Sequence, residues 1–133
     1  MKVSAFGVDI GYGHTKGAFR TGTDISTVSF PSLAPLVSEL ELPPIRKRVG
    51  NESSVVLMEV QGSHYAVGPG VESLSVCSRI TRTLFDSFCL TPMFAALLGG
   101  ALHSAGVTDI ECMVLGLPAH LSWKYSRYLR DAF

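Results

Sequence analysis

Three apolar, β-prone runs crowd into the first thirty residues, and the gaps between them allow only one kind of sheet. Val3 to Ile10 is apolar and β-branched. His14 to Phe19 and Ile25 to Phe30 follow after Gly-rich or Thr/Gly/Asp turns. A parallel crossover needs a dozen or more residues, and only a few separate these runs. The chain is therefore expected to open with an antiparallel three-stranded meander.

Beyond it, Pro31, Pro35, Pro43 and Pro44 mark a long irregular segment, about residues 31–53, which contains the basic run Arg46-Lys47-Arg48. Ser54 to Val60 and His64 to Val67 flank Gln61-Gly62-Ser63 and predict a second hairpin. Residues 69–90 are ambiguous: Gly70 opens a polar stretch, with Arg79 and Arg82 close by. Thr91-Pro92 then signals a helix, Thr91 as N-cap and Pro92 at the first helical position. Met93, Phe94, Leu97, Leu98, Ala101, Leu102 and Ala105 give it an apolar face, and Gly106 suits the left-handed position past its end. Glu111 to Leu117 predicts a buried strand stopped by Pro118. Ser122 is expected to cap a last helix with Lys124, Arg127 and Arg130 on one face. No stop signal stands at Phe133, so that helix is expected to be cut rather than finished. The order predicts an α/β domain with one mixed sheet and helices packed on it.

At 133 residues the chain has the size of one domain. Eleven basic and eleven acidic side chains cancel, so net charge steers it towards neither nucleic acid nor anionic lipid. Cys77, Cys89 and Cys112 are odd in number, widely spaced and set among apolar residues. They predict reduced core thiols of a cytoplasmic protein, without metal-ligand spacing. The start is a poor signal peptide, and no apolar stretch approaches the roughly 20 residues of a membrane span.

The segment that carries chemistry is Val8-Asp9-Ile10-Gly11-Tyr12-Gly13-His14-Thr15-Lys16-Gly17. An acidic residue closes a strand, two glycines make a tight turn, and a lysine sits on the returning strand. Glycines let backbone N–H groups converge on a phosphate. Lys16 offers positive charge to its oxygens. Asp9 would repel a polyphosphate, so its sensible task is to hold Mg²⁺ through water. A P-loop needs Gly-Lys-Ser/Thr before a helix, and here Lys16-Gly17 leads into a strand. The dinucleotide fingerprint needs a third glycine where Lys16 stands, and a helix after it. On spacing alone, Gly11 to Gly13 could equally be a plain hairpin turn with Asp9 a solvated strand end.

Asp9-x-Gly11-x-Gly13-x-x-Lys16 resembles the first phosphate motif of the actin, sugar-kinase and chaperone ATPase superfamily. The wording GVDIGYGHTKGAF is similar to the plasmid-segregation actins, the ParM/StbA group, with His14 where asparagine is frequent. Phe30-Pro31-Ser32, Tyr65-Ala66-Val67-Gly68 and Gly116-Leu117-Pro118 resemble further segments of that group in the same order. With Ser32-Leu33-Ala34-Pro35 the pattern is most similar to the protein D group of PRTRC plasmid systems. The resemblance implies a ribonuclease-H-like actin ATPase subdomain with a five-stranded mixed sheet, facing a second subdomain across a nucleotide cleft. It implies ATP and Mg²⁺ as cofactors, with Gly11, Tyr12, Gly13, His14, Thr15 and Lys16 at the phosphates and Asp9 at the metal. It also implies self-association into filaments that move plasmid DNA indirectly, through an adaptor, and no membrane. The remaining cleft residues would lie beyond position 133, so no complete catalytic set is expected within it.

Other features have plain readings. Arg46-Lys47-Arg48 suits a solvated loop. Gly99-Gly100, within the helix, suggests close packing more than a hinge. Phe85, Phe88 and Phe94 are most simply core, and Trp123 is either core or part of a subunit contact. A small-molecule kinase sharing the Asp9 and Lys16 loop, or a binding module of this fold without nucleotide, are the alternative functions.

Overall fold

The computed structural model describes residues 1–38, 54–74 and 85–133. The Arg46-Lys47-Arg48 run, Pro43, Pro44, Cys77, Arg79 and Arg82 lie outside the described residues. Strands β1 (Lys2–Ile10), β2 (His14–Thr21) and β3 (Asp24–Pro31) form the antiparallel meander that their short connections require. Strands β4 (Val56–Val60) and β5 (Ser63–Val67) form the second hairpin. Helix α1 (Pro92–Ala105) leads to β6 (Asp109–Gly116), which returns parallel to β1, and α2 (Ala119–Ala132) follows. The main sheet has the order β3-β2-β1-β6, while β4 and β5 form a two-stranded sheet among the described residues.

Two expectations change here. The hairpin forms a second, separate sheet in place of the single one expected. The main sheet has four strands among the described residues, where the resemblance implies five. Part of the segment expected to be irregular pairs with β5. Its residues 35–37 run beside β5, with Ala66 N–H donating to Pro35 O at 3.0 Å and Val37 N–H to His64 O at 2.9 Å.

One face of the sheet carries the core. Phe6, Val8, Phe19 and Phe30 meet Leu97 and Ala101 of α1. Phe6 is fully buried and stacks on Phe19 with centroids 5.7 Å apart. Burying such a ring stabilises by about 1.5–3 kcal/mol. Phe6 also lies against the space over Gly17, where a Cβ would come within 2.8 Å of the ring. The opposite sheet face is open, with Ala5, Asp9, Lys16, Ala18, Cys112 and Val114 exposed. That is why β6 is not the buried strand expected: Val114 is 60% exposed, and Cys112, expected in the core, points to the open side. Cys89 is buried as expected.

Helix α1 starts and stops where its sequence says. The Thr91 hydroxyl accepts from Phe94 N–H at 3.4 Å, Pro92 occupies the first turn, and Gly106 closes the end at φ 65°. Its two interior glycines cost about 1 kcal/mol each in helix propensity. A Cβ on Gly100 would lie 2.6 Å from Val67 Cγ2, and one on Gly99 would lie 2.9 Å from Met58 Sδ. Close packing, against the second hairpin, explains both.

Helix α2 buries Leu121, Tyr125 and Leu129, one residue per turn, beside Phe94 and Cys89. Lys124, Arg127 and Arg130 are exposed, as expected. Ser122 is not the cap: the helix begins after Pro118, and the Ser122 hydroxyl donates to Ala119 O at 3.0 Å inside the first turn. Phe94 is core and Phe88 half-buried, but Phe85 is 40% exposed. Trp123 is 80% exposed, which removes it from the core. Among the described residues no helix is long and apolar enough to cross a membrane.

Candidate functional site

The β1–β2 turn sets the geometry at one end of the sheet. Asp9 is the cross-strand partner of Lys16, Lys16 is the partner of Ser29, and Asp9 is also the parallel partner of Gly116. Residues in one such row share a sheet face. The carboxylate and the ammonium-bearing side chain therefore both stand on the open face, and both residues are exposed.

Between them, the turn is closed by Gly11 N–H donating to His14 O at 3.2 Å. It is pinned to the end of β3 by Ser32 N–H donating to Gly13 O at 3.0 Å. The Thr15 and Ser32 hydroxyls meet at 2.9 Å, and Thr15 is fully buried. Thr15 thus anchors the turn from its inner side, while Tyr12 and His14 are exposed on the outside. Neither Gly11 nor Gly13 has a positive φ, so conformational freedom does not explain them. Space does. A Cβ on Gly11 would sit 3.2 Å from His14 O, and one on Gly13 would meet nothing within 4 Å. The outer side of Gly13 is bare backbone with open room before it, which is what an incoming anion needs.

Beside the turn lies an apolar recess lined by Ile10, Tyr12, Phe88, Cys89, Leu117 and Pro118. Burial pushes the Cys89 thiol pKa up, which keeps it an inert, neutral packing group. Asp86 stands at the rim, its carboxylate 3.7 Å from His120 Nε2. The sequence reading missed this recess, because Phe85 to Cys89 fell in its ambiguous stretch. It also missed Gly116 as a neighbour of Asp9, which only the register of β6 against β1 reveals.

No group of three or more His, Cys, Asp or Glu able to hold a metal occurs among the described residues. A single carboxylate still suits Mg²⁺, which keeps most of its waters and takes its other ligands from substrate phosphates. The slot around Asp9 fits that use. A Cβ at position 116 would come to 3.2 Å from Asp9 Oδ1, and glycine leaves the space clear.

Residues 7–132 match the family described as the N-terminal domain of actin-like proteins. No curated protein matches in sequence. Among solved structures, a filament of AlfA bound to AMPPNP is similar with a TM-score of 0.65 at 20% identity over 98% of this chain. The filament of AlfA from a B. subtilis plasmid, pLS32, is similar with a TM-score of 0.60, also at 20% identity, over 97% of this chain. The chain spans 46% of the length of either.

Proposed function

The chain belongs to the actin-like proteins, whose N-terminal domain it carries, and on that premise we propose that it is the phosphate-binding part of a filament-forming ATPase of plasmid segregation. The wording of the glycine motif and the order of the further segments support the ParM/StbA group, in the form of PRTRC protein D. The observation that carries this reading is the row formed by Asp9, Lys16 and Gly116 at the mouth of a glycine turn with room before it. Family membership makes a mere hairpin turn the weaker account of that row.

Within the site, the turn from Gly11 to Thr15 receives the terminal phosphates through those backbone N–H groups that the turn and the sheet leave unbonded, and Lys16 neutralises their charge. Tyr12 and His14 flank the turn on its outer side. Asp9 orients the hydration shell of Mg²⁺, which, when bound, draws charge from the phosphate oxygens. The opposite wall of the cleft, with the group that orients the attacking water, belongs to a second subdomain outside residues 1–133. The complete protein self-associates into filaments in the cytoplasm and reaches plasmid DNA through an adaptor.

Asp9→Ala and Lys16→Ala in the complete protein test the reading. Each is expected to cut ATP turnover at least about 100-fold, the scale of losing one placed electrostatic group. Circular dichroism should stay unchanged, since both side chains are exposed. Near-normal turnover in either variant would overturn the assignment.

A further inference from the structure

Gly116 is the last residue of β6 and pairs with Asp9 in parallel register. Glycine in a strand weakens it, so the position calls for a cause. A left-handed backbone is not that cause, because its φ is not positive. What a side chain would meet is Asp9: a Cβ on Gly116 would stand 3.2 Å from Oδ1 and 3.5 Å from the Asp9 Cβ, with Val8 O also at 3.5 Å. Across the carboxylate, a Cβ on Gly11 would lie 4.0 Å from Oδ2. The Asp9 carboxylate therefore sits in a slot with glycine on both sides, and Gly116 is the tighter wall.

We propose that Gly116 is a positioning residue for Asp9, keeping clear the rotamer from which the carboxylate holds hydrated Mg²⁺ against a nucleotide's phosphates. The inference rests on the proposed role of Asp9. An alanine methyl at 116 pushes Oδ1 aside by a few tenths of an ångström. Asp9 is exposed, so it yields by rotating towards solvent, at small cost to the fold. Mg²⁺ demands near-octahedral geometry and tolerates such displacement poorly. Gly7, two residues earlier on the same strand face, is the natural control. A Cβ there would meet only Ala18 O at 3.8 Å, an ordinary contact.

The test is calorimetric titration of the complete protein with AMPPNP, once in Mg²⁺ and once in chelator. Gly116→Ala is expected to lose about tenfold in Mg²⁺-supported affinity, the low end for outer-shell metal partners, and nothing in chelator. Gly7→Ala should keep both affinities. The double variant Asp9→Ala/Gly116→Ala should bind no more weakly than Asp9→Ala alone. Full Mg²⁺-supported affinity in Gly116→Ala, or losses that add in the double variant, would overturn the proposal. If Asp9→Ala itself leaves the Mg²⁺ increment intact, the assignment of Asp9 falls first, and the role of Gly116 with it. Melting temperatures supply a second reading. Gly116→Ala should move the melting point little, and a large loss would make Gly116 a packing residue and overturn the proposal.

Discussion

The contact between α1 and the second hairpin and the turn between β1 and β2 both depend on glycine, for opposite physical reasons. At Gly100 the neighbouring atoms are already there: a Cβ would fall 2.6 Å from Val67, and Val67 is fully buried. At Gly13 nothing stands within 4 Å. The first glycine lets two apolar elements touch, and its return is packing energy. The second leaves backbone facing open space, which returns no packing to the fold and is the room that the proposed phosphate site requires. The contrast recurs within the motif itself, since Gly17, four residues on, is again a packing glycine, with Phe6 and Val28 atoms 2.8 and 2.9 Å from its would-be Cβ.

Three substitutions would break or sharpen that contrast. Gly100→Val places two methyl groups where one does not fit, and overpacking of this kind costs about 1–3 kcal/mol. Valine's modest gain in helix propensity over glycine does not offset it. A drop of several degrees in the thermal midpoint is expected, about what 1–3 kcal/mol does in a domain this size. An unchanged midpoint would show that the hairpin gives way easily and that Gly100 is not a packing position.

Gly17→Ala is the milder case, because it adds a single methyl group at slightly longer approach distances. A loss of about 1 kcal/mol is expected from denaturant unfolding, with the Mg²⁺-supported affinity for AMPPNP intact. Loss of affinity without loss of stability would move Gly17 from the packing class to the ligand class. Gly13→Ala should do the reverse. Its stability change is expected within about 0.5 kcal/mol, and its nucleotide affinity about tenfold weaker, which is 1.4 kcal/mol. A stable Gly13→Ala variant that binds AMPPNP normally would make Gly13 a plain turn residue.

Local signals were legible in the sequence and long-range ones were not. The meander follows from loop length, and both ends of α1 follow from Thr91, Pro92 and Gly106, whose physics involves only near neighbours. The pairing of Asp9 with Lys16 follows from the same short turn. The hairpin of β4 and β5 stands apart from the main sheet and packs on α1, a long-range arrangement that no local pattern encodes. The apolar composition of β6 suggested burial, yet Val114 faces the open side, because two-sided coverage belongs to the architecture and not to the strand. Ser122 had the chemistry of a cap, but the buried series of Leu121, Tyr125 and Leu129 and the position of Pro118 set the helix start earlier. The slot around Asp9 joins two residues from opposite ends of the chain, and only the parallel register reveals it.

Trp123 is the one tryptophan of the chain, and it stands on α2 almost entirely in water. Its emission in the folded domain should therefore already resemble that of the free indole, and unfolding will move it little. The ordinary use of tryptophan fluorescence, as a gauge of denaturation, is nearly blind here. The same exposure makes the indole a built-in optical reporter of whatever comes to lie on that helix. A blue shift on raising protein concentration or adding nucleotide would mark the covering of this surface without any dye or engineered label.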